Sequence, residues 1–191
     1  MAEPDNNSGG DNSGLTVWLT GLPAAGKTTL GDAVAARLTV AGERTFRLDG
    51  NELRCGLCSD LGFSVADRNE NVRRAGHVAV LLAQSGAIVV VSLISPHAAS
   101  RALVRRLHVE QGIGFIEVFV DTPVEECRRR DPYGLYAKAA RAEIAHMTGH
   151  DDPYEPPTAP DVHVHPGVQT VEESVDKVLE ALELRLRTYS R

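Results

Sequence analysis

The sequence predicts an α/β fold, a parallel sheet with helices on both faces, and three observations predict it. Short apolar runs alternate with helical patterns from Leu15 to the end of the chain. Runs such as Ile88-Val-Val-Val-Ser-Leu-Ile94 are apolar almost without interruption, as strands buried on both sides must be. The first run leads directly into Gly21-Leu22-Pro23-Ala24-Ala25-Gly26-Lys27-Thr28, which reads G-x-x-x-x-G-K-[ST]. At average composition that pattern arises by chance in a chain this long at on the order of one per cent, so it is specific.

Taken in order, the strand candidates are residues 16–20, 45–48, 87–93, 115–120 and 162–165. The second is the weakest, because it is barely apolar and carries Arg47. Helical patterns fall at 27–41, 67–84, 98–111, 124–130 and 171–188. In the last, Val171, Val175, Val178, Leu179, Leu182 and Leu186 recur at three- and four-residue steps and form one apolar stripe. The stretch 131–160 breaks the rhythm with two Asp-Pro-Tyr triplets and the pair Pro156-Pro157. A connection this long reads as a lid. A phosphoryl-transfer enzyme needs one, since transfer to water must be suppressed. Residues 1–14 are polar, without the basic start and apolar run of a signal peptide, and read as a disordered leader. Residues 15–191 then form a single domain.

Composition excludes several classes. The 191 residues, 42% hydrophobic and 24% charged, are those of an ordinary globular domain. A net charge of −6 leaves no footprint for nucleic acid or an anionic membrane. The basic clusters Arg101/Arg105/Arg106 and 128–130 read as solvated helix faces. No apolar stretch approaches transmembrane length, and a cytoplasmic protein is expected. Cys55 and Cys58 have redox-motif spacing but no thioredoxin-like strand context, and with Cys127 read as inert thiols. His163 and His165 alternate with valines on one face of a late strand, with no obvious carboxylate partner.

The loop at 21–28 binds a nucleoside triphosphate: its backbone N–H groups cradle phosphates, Lys27 reaches the β/γ-phosphates and the Thr28 hydroxyl ligates Mg²⁺. Thr29 continues it. Asp49 closes the second strand at the carboxyl end, where ligands of open α/β sheets bind. It reads equally as a group that receives the acceptor's proton or orders the Mg²⁺ shell, and as a helix N-cap. Arg68, Asn71 and Arg74 share a helix face. They read either as a clamp for an anionic acceptor or as partners of nearby carboxylates such as Glu70.

With these blocks in view the chain resembles the adenylylsulfate (APS) kinases, P-loop enzymes that phosphorylate the ribose 3′-hydroxyl of adenosine 5′-phosphosulfate. The resemblance runs from Thr16 to about Val164. Beyond the P-loop it rests on Leu48-Asp-Gly50, Leu61-Gly-Phe-Ser64, Asp67-Arg68-Asn-Glu-Asn71-Val-Arg-Arg74 and Ser92-Leu-Ile-Ser-Pro96. It continues through Glu117-Val-Phe-Val-Asp-Thr-Pro123, Arg130-Asp-Pro-Tyr-Gly-Leu-Tyr136 with Lys138, Thr148-Gly149 and Asp151-Asp-Pro-Tyr-Glu155. Trp18-Leu-Thr-Gly-Leu-Pro and Gly134-Leu-Tyr-Ala-Lys138 resemble the actinobacterial branch.

The resemblance implies a P-loop NTPase-type fold, ATP as co-substrate, Mg²⁺ and a homodimer. It also implies roles. Asp49 and Lys27 would be catalytic, and Thr28 and Asp49 would hold the metal. Asn51, Arg54, Phe63, Arg68 and Asn71 would bind the acceptor, with Ile94, Ser95 and Pro96 shaping its pocket. Ser95 matches a serine that some members carry phosphorylated and joins the catalytic set. Arg130 and Lys138 would cover the ATP.

Departures fall on the acceptor side. A carboxylate common in the family is Asn51 here, which leaves any base role to Asp49. The aromatic residue that covers the acceptor's adenine is replaced by Met147, and a family lysine is absent around Ala145-His146. These changes motivate a second reading, a related kinase for another nucleoside or natural-product hydroxyl. A non-catalytic nucleotide-binding subunit is the third, and it would be expected to have lost Lys27, Thr28 or Asp49.

Overall fold

All six residues of β1 (Leu15–Thr20) are buried, the pattern of a strand with neighbours at both edges and layers on both faces. In the computed structural model, which describes residues 14–189, β1 lies at the centre of a five-stranded parallel sheet ordered β2-β3-β1-β4-β5. β3 (Ile88–Ser92) sets Ile88 opposite Leu15, and β4 (Gly114–Val120) sets Gly114 opposite the same residue. β2 (Thr45–Asp49) and the short β5 (Val162–Val164) are the edges. The expected leader falls, apart from Gly14, outside the described residues.

The chain runs from β1 through α1 (Lys27–Val40) to the β2 edge. It returns through α2 (Gly50–Cys55), α3 (Val65–Gln84) and α4 (Ala98–Glu110) to β4. Right-handed crossovers place helices on opposite faces when the direction of travel reverses. α1 accordingly lies on one face, beside the C-terminal α7 (Val171–Tyr189), while α3 and α4 pack together on the other. Alternation along β1 feeds both layers. Leu15, Val17 and Leu19 join the cluster of Leu30, Val34, Val175 and Val178, whereas Trp18 joins Ala75, Ala79, Val104 and Phe115.

Expected and observed elements differ where side chains give little period. Arg47 is accommodated in β2 because that strand is an edge, and its guanidinium reaches Asp32 at 2.9 Å and Glu52. α2 buries none of its residues, so no apolar stripe announces it. Between β4 and β5, α5 (Val124–Arg130) is followed by α6 (Leu135–Ala140), a single short helix within the stretch 131–160. Open α/β sheets bind ligands outside the carboxyl ends of their strands. That edge carries residues 21–28 after β1, Asp49 at the end of β2, residues 93–96 after β3 and Asp121 after β4.

Candidate active site

The donor side is built from backbone. α1 begins after Gly26, whose φ of 105° a residue with a Cβ rarely adopts. The helix has no side-chain cap and no acidic residue in its first turn. By contrast α2 is capped by Asp49 and α3 by Ser64. The first N–H groups of α1 are therefore left for an anion, where the helix dipole also favours one. Lys27 is buried, and its ammonium donates to the carbonyls of Gly21 (3.1 Å) and Leu22 (2.7 Å). Burial lowers its pKa to about 8, against the opposing pull of Cys127 and Asp49. Around this cradle, Tyr136 of α6 donates its hydroxyl to Pro23 O at 3.2 Å. Arg130 reaches Ala25 O at 3.5 Å and Pro166 O at 3.3 Å, spanning the loop and the turn after β5. Beside it opens a cleft of about 580 Å³ between α5 and that turn. Thr29 and Lys138 are exposed.

Asp49 is the N-cap that one of its sequence readings expected, and it also faces the phosphate loop. One carboxylate oxygen accepts from Asn51 N at 2.9 Å as the cap of α2, and the other accepts from the Thr28 hydroxyl at 2.8 Å. The residue is 5% exposed. A carboxylate and a hydroxyl thus meet at the mouth of the loop, a pair of hard oxygen donors of the kind Mg²⁺ takes.

The second part of the candidate site, which the resemblance assigns to the acceptor, is built from side chains. Phe63 is 55% exposed, and the guanidinium carbons of Arg54 and Arg68 stand 4.4 and 5.4 Å from its ring centroid. Arg54 donates to Leu61 O (3.1 Å) and Gly62 O (2.9 Å), and Arg68 to Phe63 O (3.1 Å) and His146 O. Both are held by backbone carbonyls, and burial pushes both pKa values down. Asn71 is also buried, and its side-chain oxygen has no partner among the described residues. The stripe expected on α3 divides. Arg74 pairs with Asp60 at 2.6 Å and Glu70 at 2.9 Å, and Arg73 pairs with Glu70, so neither belongs to the clamp.

Four groups have settings the sequence did not show. Ser95 is 2% exposed and its hydroxyl accepts from Trp18 Nε1 at 3.1 Å, which turns it toward the sheet. Ile94 and Pro96 act there through their carbonyls, which accept from Gly21 N and Glu155 N. Met147 is 5% exposed, packed within the core cluster of Tyr136 and Ala139. His163 and His165 do have a carboxylate partner: Asp121 Oδ2 lies 2.9 Å from His163 Nε2 and 3.6 Å from His165 Nδ1.

Sequence reasoning missed a buried clamp. Arg101 is no solvated helix residue: at 4% exposure it donates to Glu117 (2.9 Å), Ser95 O (2.8 Å) and Glu155 O (2.6 Å). Nearby, the Tyr154 hydroxyl lies 2.9 Å from Thr20 Oγ1. Only the run of apolar neighbours on α4 could have hinted that one of three arginines points inward. The non-glycine residues with positive φ are Ala24, Ser95, Asp131, Ala142 and His146. All lie in the loop at 21–28, the loop after β3 or the stretch 131–160. Strained backbone concentrates at functional sites.

The comparisons identify the family. The family model for adenylylsulphate kinase matches residues 13–165. The chain is 51% identical over 176 residues to an adenylyl-sulfate kinase of Myxococcus xanthus, covering 92% of this chain and 95% of that one. It is 50% identical to the bifunctional enzyme CysN/CysC of Mycobacterium tuberculosis, of which it spans only 28%. The structure of the M. tuberculosis APS kinase CysC in complex with AMPPNP and APS superposes with a TM-score of 0.87 at 50% identity, covering 90% of this chain and 98% of that one. A sheet of this order, a loop of this form and matches of this extent place the chain in the adenylylsulfate kinase family.

Proposed function

We propose that this chain is an adenylyl-sulfate kinase, transferring the γ-phosphoryl group of ATP to the ribose 3′-hydroxyl of adenosine 5′-phosphosulfate to give ADP and 3′-phosphoadenosine 5′-phosphosulfate. The observation that carries the reading is the contact between Thr28 and Asp49, which joins the phosphate cradle to the carboxyl end of β2. Likeness to a relative solved with AMPPNP and APS supports both ligands.

The uncapped start of α1 receives the phosphates, and Lys27 exchanges its two loop carbonyls for their oxygens. The carboxylate of Asp49 orients the acceptor hydroxyl and receives its proton. Asn51, as an amide, shares in hydrogen bonding but takes no proton. Thr28 and Asp49 are the residues that would hold Mg²⁺, which supplies neutralisation of phosphate charge. Arg54 and Arg68 release loop carbonyls to grip the phosphosulfate, Phe63 offers its exposed face to the adenine, and Asn71 directs its free oxygen at the sugar. Arg130 flanks the cleft that takes the base of ATP.

Within the lid, Tyr154 and Glu155 are fastened to Thr20, Pro96 and Arg101, so closure belongs to the part before them. The assembly we propose is a homodimer, which rests on the family resemblance and which light scattering tests. A cytoplasmic setting fits helices none of which, among the described residues, is long and apolar enough to cross a membrane.

The test is the mass of the product formed from ATP with a panel of adenylyl and other nucleoside acceptors. Adenosine 5′-phosphosulfate is expected to be preferred by far, with a gain of one phosphate. Equal or better turnover of another hydroxyl would transfer the assignment to the second reading.

A further inference from the structure

At the edge of the sheet away from β2, three potential ligands stand together, two of which, Asp121 and His165, also line the cleft beside Arg130. β5 points Val162 and Val164 into the core, so His163 and His165 project from the opposite face. Asp121 follows β4, and its backbone N–H donates to Val164 O at 2.9 Å, which brings its carboxylate alongside both imidazoles. The two histidine rings lie 4.2 Å apart, and one ligand atom from each of the three residues lies within 4.8 Å of the others. His163 is braced by stacking on Phe119 at 4.9 Å. All three side chains are between 40% and 46% exposed, open to a cation from solvent.

We infer that Asp121, His163 and His165 form a binding site for one divalent transition cation of the zinc class. Two imidazoles and a carboxylate are the donors such ions favour over Mg²⁺, and three protein ligands leave a fourth position for water. Metal–ligand bonds of roughly 2.0–2.2 Å in a tetrahedral site put donor atoms about 3.3 Å apart. The separations of 2.9 and 3.6 Å from Asp121 Oδ2 bracket that value. Exposed side chains cover the remaining difference by small rotations. An ion held there fastens a three-residue edge strand to the end of β4, where only a short ladder joins them now.

The experiment uses tag-free, chelator-stripped protein in a Cys55→Ser background, because Cys55 is an exposed free thiol and thiolates are zinc ligands. Zn²⁺ is titrated by calorimetry in excess Mg²⁺, and Co²⁺ is followed by its visible spectrum. One saturable equivalent, a raised melting temperature and a four-coordinate cobalt band without thiolate charge transfer are expected. His163→Ala, His165→Ala and Asp121→Asn, with folds checked by circular dichroism, each weaken binding by roughly tenfold or more. No saturable equivalent in the parent protein overturns the inference. So does a cobalt spectrum with thiolate ligation, or affinity unchanged in the His163→Ala/His165→Ala double variant.

Discussion

The two halves of the candidate site are made of different material. The phosphate cradle is main chain: a glycine at φ 105°, an uncapped helix start and a lysine tucked against carbonyls of its own loop. The acceptor cup is side chain: two arginines over an exposed ring, and an amide oxygen with no described partner. Backbone N–H groups cannot be substituted away, so one half keeps its chemistry through sequence change. The other half is held by exchangeable contacts, and that is where Asn51 and Ala145-His146 depart from the pattern the resemblance implies. On the proposed assignment, donor recognition rests on the fold and acceptor recognition on individual residues.

This contrast can be broken or sharpened by measurement. Lys27→Ala removes the one side chain on which the main-chain half depends, and phosphoryl transfer should fall by roughly 10³-fold or more in a coupled ADP assay. Asp49→Asn, at the seam, should lower kcat by about 10²- to 10³-fold while nucleotide affinity changes only a few-fold. Equal losses in kcat and in nucleotide binding would instead make Asp49 a structural cap alone. Arg68→Ala should raise KM for the acceptor by roughly 10- to 100-fold, the worth of a charged hydrogen bond, and leave KM for ATP nearly unchanged. A comparable rise in both would erase the distinction between the halves.

Proton linkage gives a smaller effect. Burial holds Lys27 near pKa 8 in the free protein, and only its charged form attracts phosphate. Nucleotide binding should then take up a proton, with affinity nearly full at pH 7 and roughly tenfold weaker by pH 9. Lys27→Ala should flatten that profile. The smallest effect is on stability. Gly149 has φ +84°, and a Cβ there would meet Leu22 Cδ2 at 2.8 Å. Gly149→Ala should cost about 1–2 kcal/mol and lower the melting temperature by a few degrees.

How much was legible follows the same division. The sheet and the loop were readable because buried strands and a glycine-bounded phosphate loop have obligatory residue types. Asp49 was readable in place but not in role, since a cap and a site carboxylate look alike until Thr28 is seen beside it. Arg68 and Arg74, six residues apart on one helix, could not be separated without knowing that Asp60 folds back to take the second. The burial of Met147 was unreadable for a related reason: alignment with an aromatic position says where a side chain sits along the chain, not which way it turns. Arg101 and the Asp121–His163 contact were hidden because both join segments distant in sequence, and no local spacing records such a meeting.

The guanidinium of Arg101 has a consequence for how this lineage can change. It sits against Glu117 with almost no access to water, and Glu117 is also reached by Arg105 at 3.3 Å. Losing Glu117 alone therefore strands the Arg101 charge in the interior, typically at about 3–5 kcal/mol, whereas losing Arg101 leaves Glu117 a second arginine. Drift is expected to be one-sided: homologues that lack the carboxylate should also lack Arg101, while some that lack Arg101 should keep the carboxylate with Arg105.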